Sequence, residues 1–148
     1  MQQPEAKYTL LIVDDDPDLL PSLVATVEAL SDFTIITADN GVSGLERFFE
    51  MRPNCAIIDV RMPGIDGYQF VRAVRGDPTA ATTPLIIMTA LAQERDRFVG
   101  MASGVDHYLV KPVKPQALML AIHHALHLST RERQHRFSQL AESDLPQI

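Results

Sequence analysis

The strongest constraint on the fold is a repeated pattern of five short apolar runs with helix-periodic segments between them, four of the runs stopping at a polar side chain. The clearest run, Cys55-Ala56-Ile57-Ile58, stops at Asp59 and leads through Val60 and Arg61 into Met62-Pro63-Gly64, which cannot prolong it. An uninterrupted apolar run of this length suits a sheet buried on both faces. Tyr8-Thr9-Leu10-Leu11-Ile12-Val13 likewise ends at Asp14-Asp15-Asp16, Pro84-Leu85-Ile86-Ile87-Met88 ends at Thr89, and the run over 105–110 ends at Lys111-Pro112. Phe33-Thr34-Ile35-Ile36-Thr37 supplies the remaining strand.

Between the strands the period changes. Asp16-Pro17 reads as an N-cap followed by proline, opening a segment with Leu19, Leu20, Leu23, Val24, Val27 and Leu30 at helical spacing. Pro21 removes a backbone donor early in that segment, so a kink or a late start is expected. Further helices are expected over about 40–51, closed by Pro53, over 67–74, over about 93–101, and over 115–128. Five strands alternating with five helices give an α/β domain with right-handed crossovers and a parallel sheet covered on both faces. Periodicity leaves the strand order open.

At 148 residues and 46% hydrophobic content the chain is about one domain with one proper core. Its longest apolar runs are strand-sized and its first residues lack the basic and apolar regions of a secretion signal, so a cytoplasmic protein with no membrane insertion is expected. A formal charge of -6 argues against a nucleic-acid surface and fits a group of acids in need of a cation. The single cysteine, Cys55, reads as a small core residue.

In a parallel sheet, Asp14, Asp15, Asp59, Thr89 and Lys111 all fall at one edge, where the carboxyl ends of the strands collect ligands. Three converging carboxylates repel by about 4 kcal/mol per pair at ~4 Å and an effective dielectric near 20. A hard divalent ion with oxygen ligands, most simply Mg²⁺, makes such a cluster tolerable. Lys111 adds a movable positive charge and Thr89 a neutral donor, while an aspartate at Asp59 is an accepted phosphoryl nucleophile. Taken singly, Asp14 to Asp16 read equally well as a turn and helix cap, Asp59 as a strand-end cap, and Thr89 and Lys111 as ordinary structural residues. Their coincidence at one edge points to phosphoryl transfer onto Asp59.

These same residues resemble the signature of a response-regulator receiver domain: Val13-Asp14-Asp15, the stretch from Asp59 through Met62-Pro63-Gly64 to Asp66-Gly67, Met88-Thr89-Ala90, and Lys111-Pro112. The resemblance covers about 7–128. It implies a flavodoxin-like, doubly wound five-stranded sheet of order 2-1-3-4-5. It further implies Asp59 as phospho-acceptor, Mg²⁺ held by Asp14, Asp15, Asp59 and the backbone carbonyl of Arg61, and a phosphoryl group bound by Thr89 and Lys111. A cis Lys111-Pro112 bond and a Thr89/Tyr108 switch acting on the surface of the fourth helix, fifth strand and fifth helix are also implied. The donor would be a histidine kinase or a histidine phosphotransfer domain, and the chain would be a signalling domain of a two-component system rather than an enzyme. Val113, where many receivers carry phenylalanine, departs from the commonest pattern.

Other readings compete. A haloacid dehalogenase type phosphatase would want a second aspartate where Arg61 stands, and a DNA-binding regulator would need a basic helix-turn-helix region, which the sequence lacks. A pseudo-receiver that binds a partner without being phosphorylated remains the alternative. By the resemblance, Arg61 and Leu91 occupy positions that govern water access, and they predict a phosphoryl group that persists. His123 and His127 lie at a spacing that brings metal ligands together, although a solvated helix face is the simpler reading; His107 has no partner visible in sequence. Residues 129–148 read as a helix pairing two copies into a homodimer, as a frayed terminus, or as a linker cut before an output or PAS domain, the last being preferred.

Overall fold

The structure is a computed structural model that describes residues 7–90 and 104–128. Five strands, β1 (Thr9–Val13), β2 (Thr34–Ala38), β3 (Cys55–Asp59), β4 (Leu85–Thr89) and β5 (His107–Val110), alternate with α1 (Leu19–Leu30), α2 (Gly41–Met51), α3 (Gly67–Arg75) and α4 (Pro115–His127). The helix expected over 93–101 and the tail from 129 lie outside the described residues. All strand pairs are parallel and the order is β2-β1-β3-β4-β5, which is the flavodoxin-like arrangement.

Alternation along the strands sorts the core into two layers. Leu11, Val13, Ala56, Ile58, Leu85 and Ile87 face one way and pack with Phe48 of α2 and Phe70, Val71 and Val74 of α3. Leu10, Ile12, Cys55, Ile57, Ile86 and Met88 face the other way, against Leu23 and Val27 of α1 and Leu118 and Ile122 of α4. Every position of β3 and β4 is buried, which is why their sequences are continuous apolar runs rather than alternating ones.

The helix boundaries follow local chemistry. Asp16 does cap the first helix, its carboxylate accepting from the N–H groups of Asp18 and Leu19 at 2.9 and 3.2 Å, but regular α1 begins only at Leu19. The Leu20 N–H already bonds the Asp16 carbonyl at 3.1 Å, but Pro21 has no N–H to continue that ladder to the Pro17 carbonyl, and the regular helix therefore starts late. Asn40 caps α2 through Ser43, and Asp66 and Gln69 close a reciprocal capping box on α3. Arg52 ends α2 in the left-handed region, φ 49°, immediately before Pro53.

At the edge of the sheet where the strands begin, Arg75 ties three segments together. Its guanidinium donates to the carbonyls of Gly104, Ala81 and Thr83 at 2.8, 3.1 and 2.7 Å and meets Asp106 at 3.2 Å. The same Asp106 oxygen accepts the Leu85 N–H at 2.8 Å, so the starts of β4 and β5 are pinned to the end of α3. Asp106 is fully buried, and removing Arg75 takes away the cation that faces its charge. Arg75→Ala is therefore expected to lower unfolding free energy by about 3–5 kcal/mol in chemical denaturation; a loss below about 1 kcal/mol would show that the pair is replaceable by solvent.

Candidate functional site

The site forms at the opposite edge, where four strands end. β1 delivers Asp14, kept in line by its N–H bond to the Ala38 carbonyl at 3.1 Å. One Asp14 oxygen accepts the Asp16 N–H at 2.9 Å, leaving the other to face the pocket. The three consecutive acids thus divide their work. Asp16 turns back to cap α1, and those two backbone bonds hold its carboxyl below the usual range. Asp14 is fully buried and Asp15 exposed, and both turn toward Asp59.

β3 delivers Asp59, 6% exposed. The backbone beyond it turns out of the sheet after one more bond, Val60 N–H to the Met88 carbonyl at 2.9 Å, and returns as α3 with Gly67 N–H bound to the Val60 carbonyl at 2.9 Å. Gly67 has to be glycine: a Cβ there would sit 2.6 Å from the Asp59 carbonyl oxygen and 2.9 Å from Val60 Cα, backbone atoms with nowhere to go. The sequence placed Gly67 at the start of a helix and at the end of the signature stretch that begins with Asp59; its seat behind Asp59 is a contact across a turn that no local signal announces.

β4 ends in buried Thr89, whose carbonyl accepts the Lys111 N–H at 2.7 Å. The Lys111–Pro112 peptide bond is cis. The Lys111 ammonium reaches across the edge to Asp14 Oδ2 at 3.0 Å and Asp59 Oδ1 at 3.1 Å. Carboxylate oxygens of Asp14, Asp15 and Asp59 all lie within 4.8 Å of one another, the one such group of three acidic, histidine or cysteine ligands among the described residues.

The electrostatics show which effect wins. Burial pushes the Asp59 carboxyl up, Lys111 pulls it down by charge and hydrogen bond, and Asp14 and Asp15 push it up again; the outcome is a raised pKa. For Lys111, burial opposes the charged form, but the hydrogen bond to Asp14 and the charges of Asp59 and Asp14 outweigh it and raise the pKa. Its stabilising contribution is therefore fully present below the ordinary lysine value and is lost only as pH climbs through the raised one.

The structure thus joins Asp14, Asp15, Asp59 and Lys111 directly and places Thr89 on the neighbouring strand end. Arg61 is exposed two residues beyond Asp59, and Leu91 lies outside the described residues. Tyr108 is not in the acid cluster. It pairs with Ile87, on the sheet face that also carries Thr89 two residues on, and its ring is buried among the residues packed under α2 and α3. The Tyr108 hydroxyl is buried and has no hydrogen-bond partner among the described residues. His107, which the sequence left alone, meets His124 of α4 edge to face with ring centroids 5.8 Å apart.

Comparison with known proteins agrees with this architecture. The family model for the response regulator receiver domain matches residues 10–123. Protein PilH of Pseudomonas aeruginosa is 33% identical over 117 residues, 79% of this chain and 96% of PilH. Response regulator Rre1 of Synechocystis is 33% identical over 118 residues, 80% of this chain, and here the chain spans about half of its relative's length, 51%. Among solved structures, the chemotaxis protein CheY4 of Vibrio cholerae superposes with a TM-score of 0.76 at 28% identity, over 81% of this chain and 99% of CheY4. With the fold, the acid pocket and the family match in agreement, this chain belongs to the response regulator receiver domain family.

Proposed function

We propose that this receiver accepts a phosphoryl group on Asp59 from a phosphohistidine donor, a histidine kinase or a histidine phosphotransfer domain, with Mg²⁺ held in the acid cluster. The observation that carries the reading is the position of Lys111, 3.0 Å from Asp14 and 3.1 Å from Asp59 at the mouth of a buried sheet. A surface lysine gains little from such an arrangement, whereas phosphoryl chemistry needs a carboxylate nucleophile with positive charge beside it.

The donor set fits a hard divalent ion, being three carboxylates whose oxygens lie within 4.8 Å of one another. Asp14, Asp15 and Asp59 would hold the ion, with the Arg61 backbone carbonyl as a further oxygen ligand. When bound, it supplies positive charge against the phosphoryl oxygens. The chain's own part begins with an Asp59 carboxylate oxygen attacking phosphorus in line with the donor's P–N bond. The O–P bond forms as the P–N bond breaks, and the donor imidazole leaves with that electron pair. Lys111 follows the negative charge from Asp59 onto a phosphoryl oxygen, and the Thr89 hydroxyl donates to another.

The same step supplies a signal. Thr89, drawn toward the phosphoryl group, vacates room on the sheet face it shares with Tyr108. The Tyr108 ring, buried on that face, rotates into the vacated room, so the surface formed by the fourth helix of the family pattern, β5 and α4 changes shape. This is a shift between two packings biased by charge at one site. The proposal places the domain in the cytoplasm; among the described residues no helix is long and apolar enough to cross a membrane.

Incubation with acetyl phosphate and Mg²⁺ is expected to add one phosphoryl group to the intact mass, and none in Asp59→Asn. No addition to the wild type, or equal addition to the variant, would remove Asp59 from the role. The titration of Asp59 is a further check. Without divalent ions, burial and the neighbouring acids outweigh Lys111 and raise its pKa, so the Asp59 carboxyl signal followed by NMR should titrate above the ordinary aspartate value near 3.8, and added Mg²⁺ should lower the midpoint. A midpoint at or below that value in the metal-free protein would contradict the raised pKa.

A further inference from the structure

We propose that His123 and His127 form a second cation site, separate from the acid cluster and suited to a borderline transition ion such as Cu²⁺ or Zn²⁺. The two residues sit one turn apart on α4, at the spacing that places side chains next to each other on a helix face. Their rings are parallel to within 4°, with centroids 6.3 Å apart. Two imidazoles sharing one metal through nitrogen bonds of about 2.0–2.1 Å place their centroids roughly 5–6 Å apart, a spacing this pair reaches when both rings turn out of the stacked arrangement.

Three features favour ligation over a merely solvated face. Both histidines are exposed, so an ion has open access and no charge is buried on binding. His123 packs against Phe33, ring centroids 6.0 Å apart, which limits the freedom that ligation would remove. The neighbouring pair, His107 and His124, meets edge to face at 84° and joins a strand to a helix, whereas His123 and His127 share one helix a turn apart and can turn toward one ion by side-chain rotation alone.

Donor chemistry keeps the two sites apart. Imidazole nitrogen suits zinc, copper and nickel, while the carboxylates of Asp14, Asp15 and Asp59 suit magnesium. No third histidine, cysteine or acid among the described residues joins His123 and His127 in a close group, so water would fill the remaining positions and the ion would exchange. Because α4 ends at His127, an ion joining the two side chains would also fasten the last turn of that helix.

The test uses the full chain in excess Mg²⁺, titrated with Cu²⁺ and followed by electron paramagnetic resonance. Wild type is expected to bind one Cu²⁺ with two nitrogen ligands, and His123→Gln and His127→Gln each to weaken binding by about 10-fold or more. His124→Gln, which alters the exposed histidine packed on His107, is expected to leave both spectrum and affinity unchanged. Absence of a nitrogen-ligated signal, wild-type binding in either His123→Gln or His127→Gln, or equal weakening by His124→Gln would overturn the assignment.

Discussion

One lysine held between two buried carboxylates organises this molecule. Lys111 touches Asp14 and Asp59, which come from different strands, and its own backbone is bonded to a third strand through Thr89. Because β1, β3 and β4 are adjacent and parallel in the sheet, their polar ends come to one edge without any loop having to carry them there. Three acids and one lysine do not balance, however. Burial and the neighbouring acids outweigh the lysine and leave Asp59 with a raised pKa, so the pocket remains short of positive charge.

The rest of the fold holds that imbalance in place. Gly67 lets α3 close against the back of Asp59, the Asp66–Gln69 capping box fixes the helix that follows, and Asp16 anchors α1 beside Asp14. At the far edge, Arg75 and Asp106 lock the starts of β4 and β5, the two strands whose other ends carry Thr89 and Lys111. Both edges are thus fastened by side-chain contacts, and Tyr108 is buried with a hydroxyl that has no partner among the described residues.

Much of this was legible in the sequence because the informative features are local. The strands β3 and β4 are buried at every position, and burial of that kind writes a continuous apolar run whose end marks the reactive edge. Strand order was not legible in the same way: a run buried on both faces carries no mark of its neighbours, and the order came from resemblance. The division of labour among Asp14, Asp15 and Asp16 was also hidden, since all three look alike until the backbone turn sends Asp16 to the helix and leaves the others with Asp59. The Arg75–Asp106 pair spans 31 residues and the His107–His124 contact joins a strand to a helix, so neither has a signature at short range.

The receiver pocket is assembled against its own charge, as the proposed binding of a cation and a phosphoryl group requires. A group with a raised pKa stabilises the fold below its unfolded value and loses that contribution as pH rises through the folded one, so ionised Asp59 burdens the folded state at neutral pH. Urea unfolding of wild type and Asp59→Asn at pH 7 without divalent ions tests this most directly. The account predicts a higher midpoint for Asp59→Asn, with Asp14 still available to Lys111. A lower midpoint would mean that the Asp59–Lys111 contact stabilises the fold more than the acids strain it, and would contradict the account.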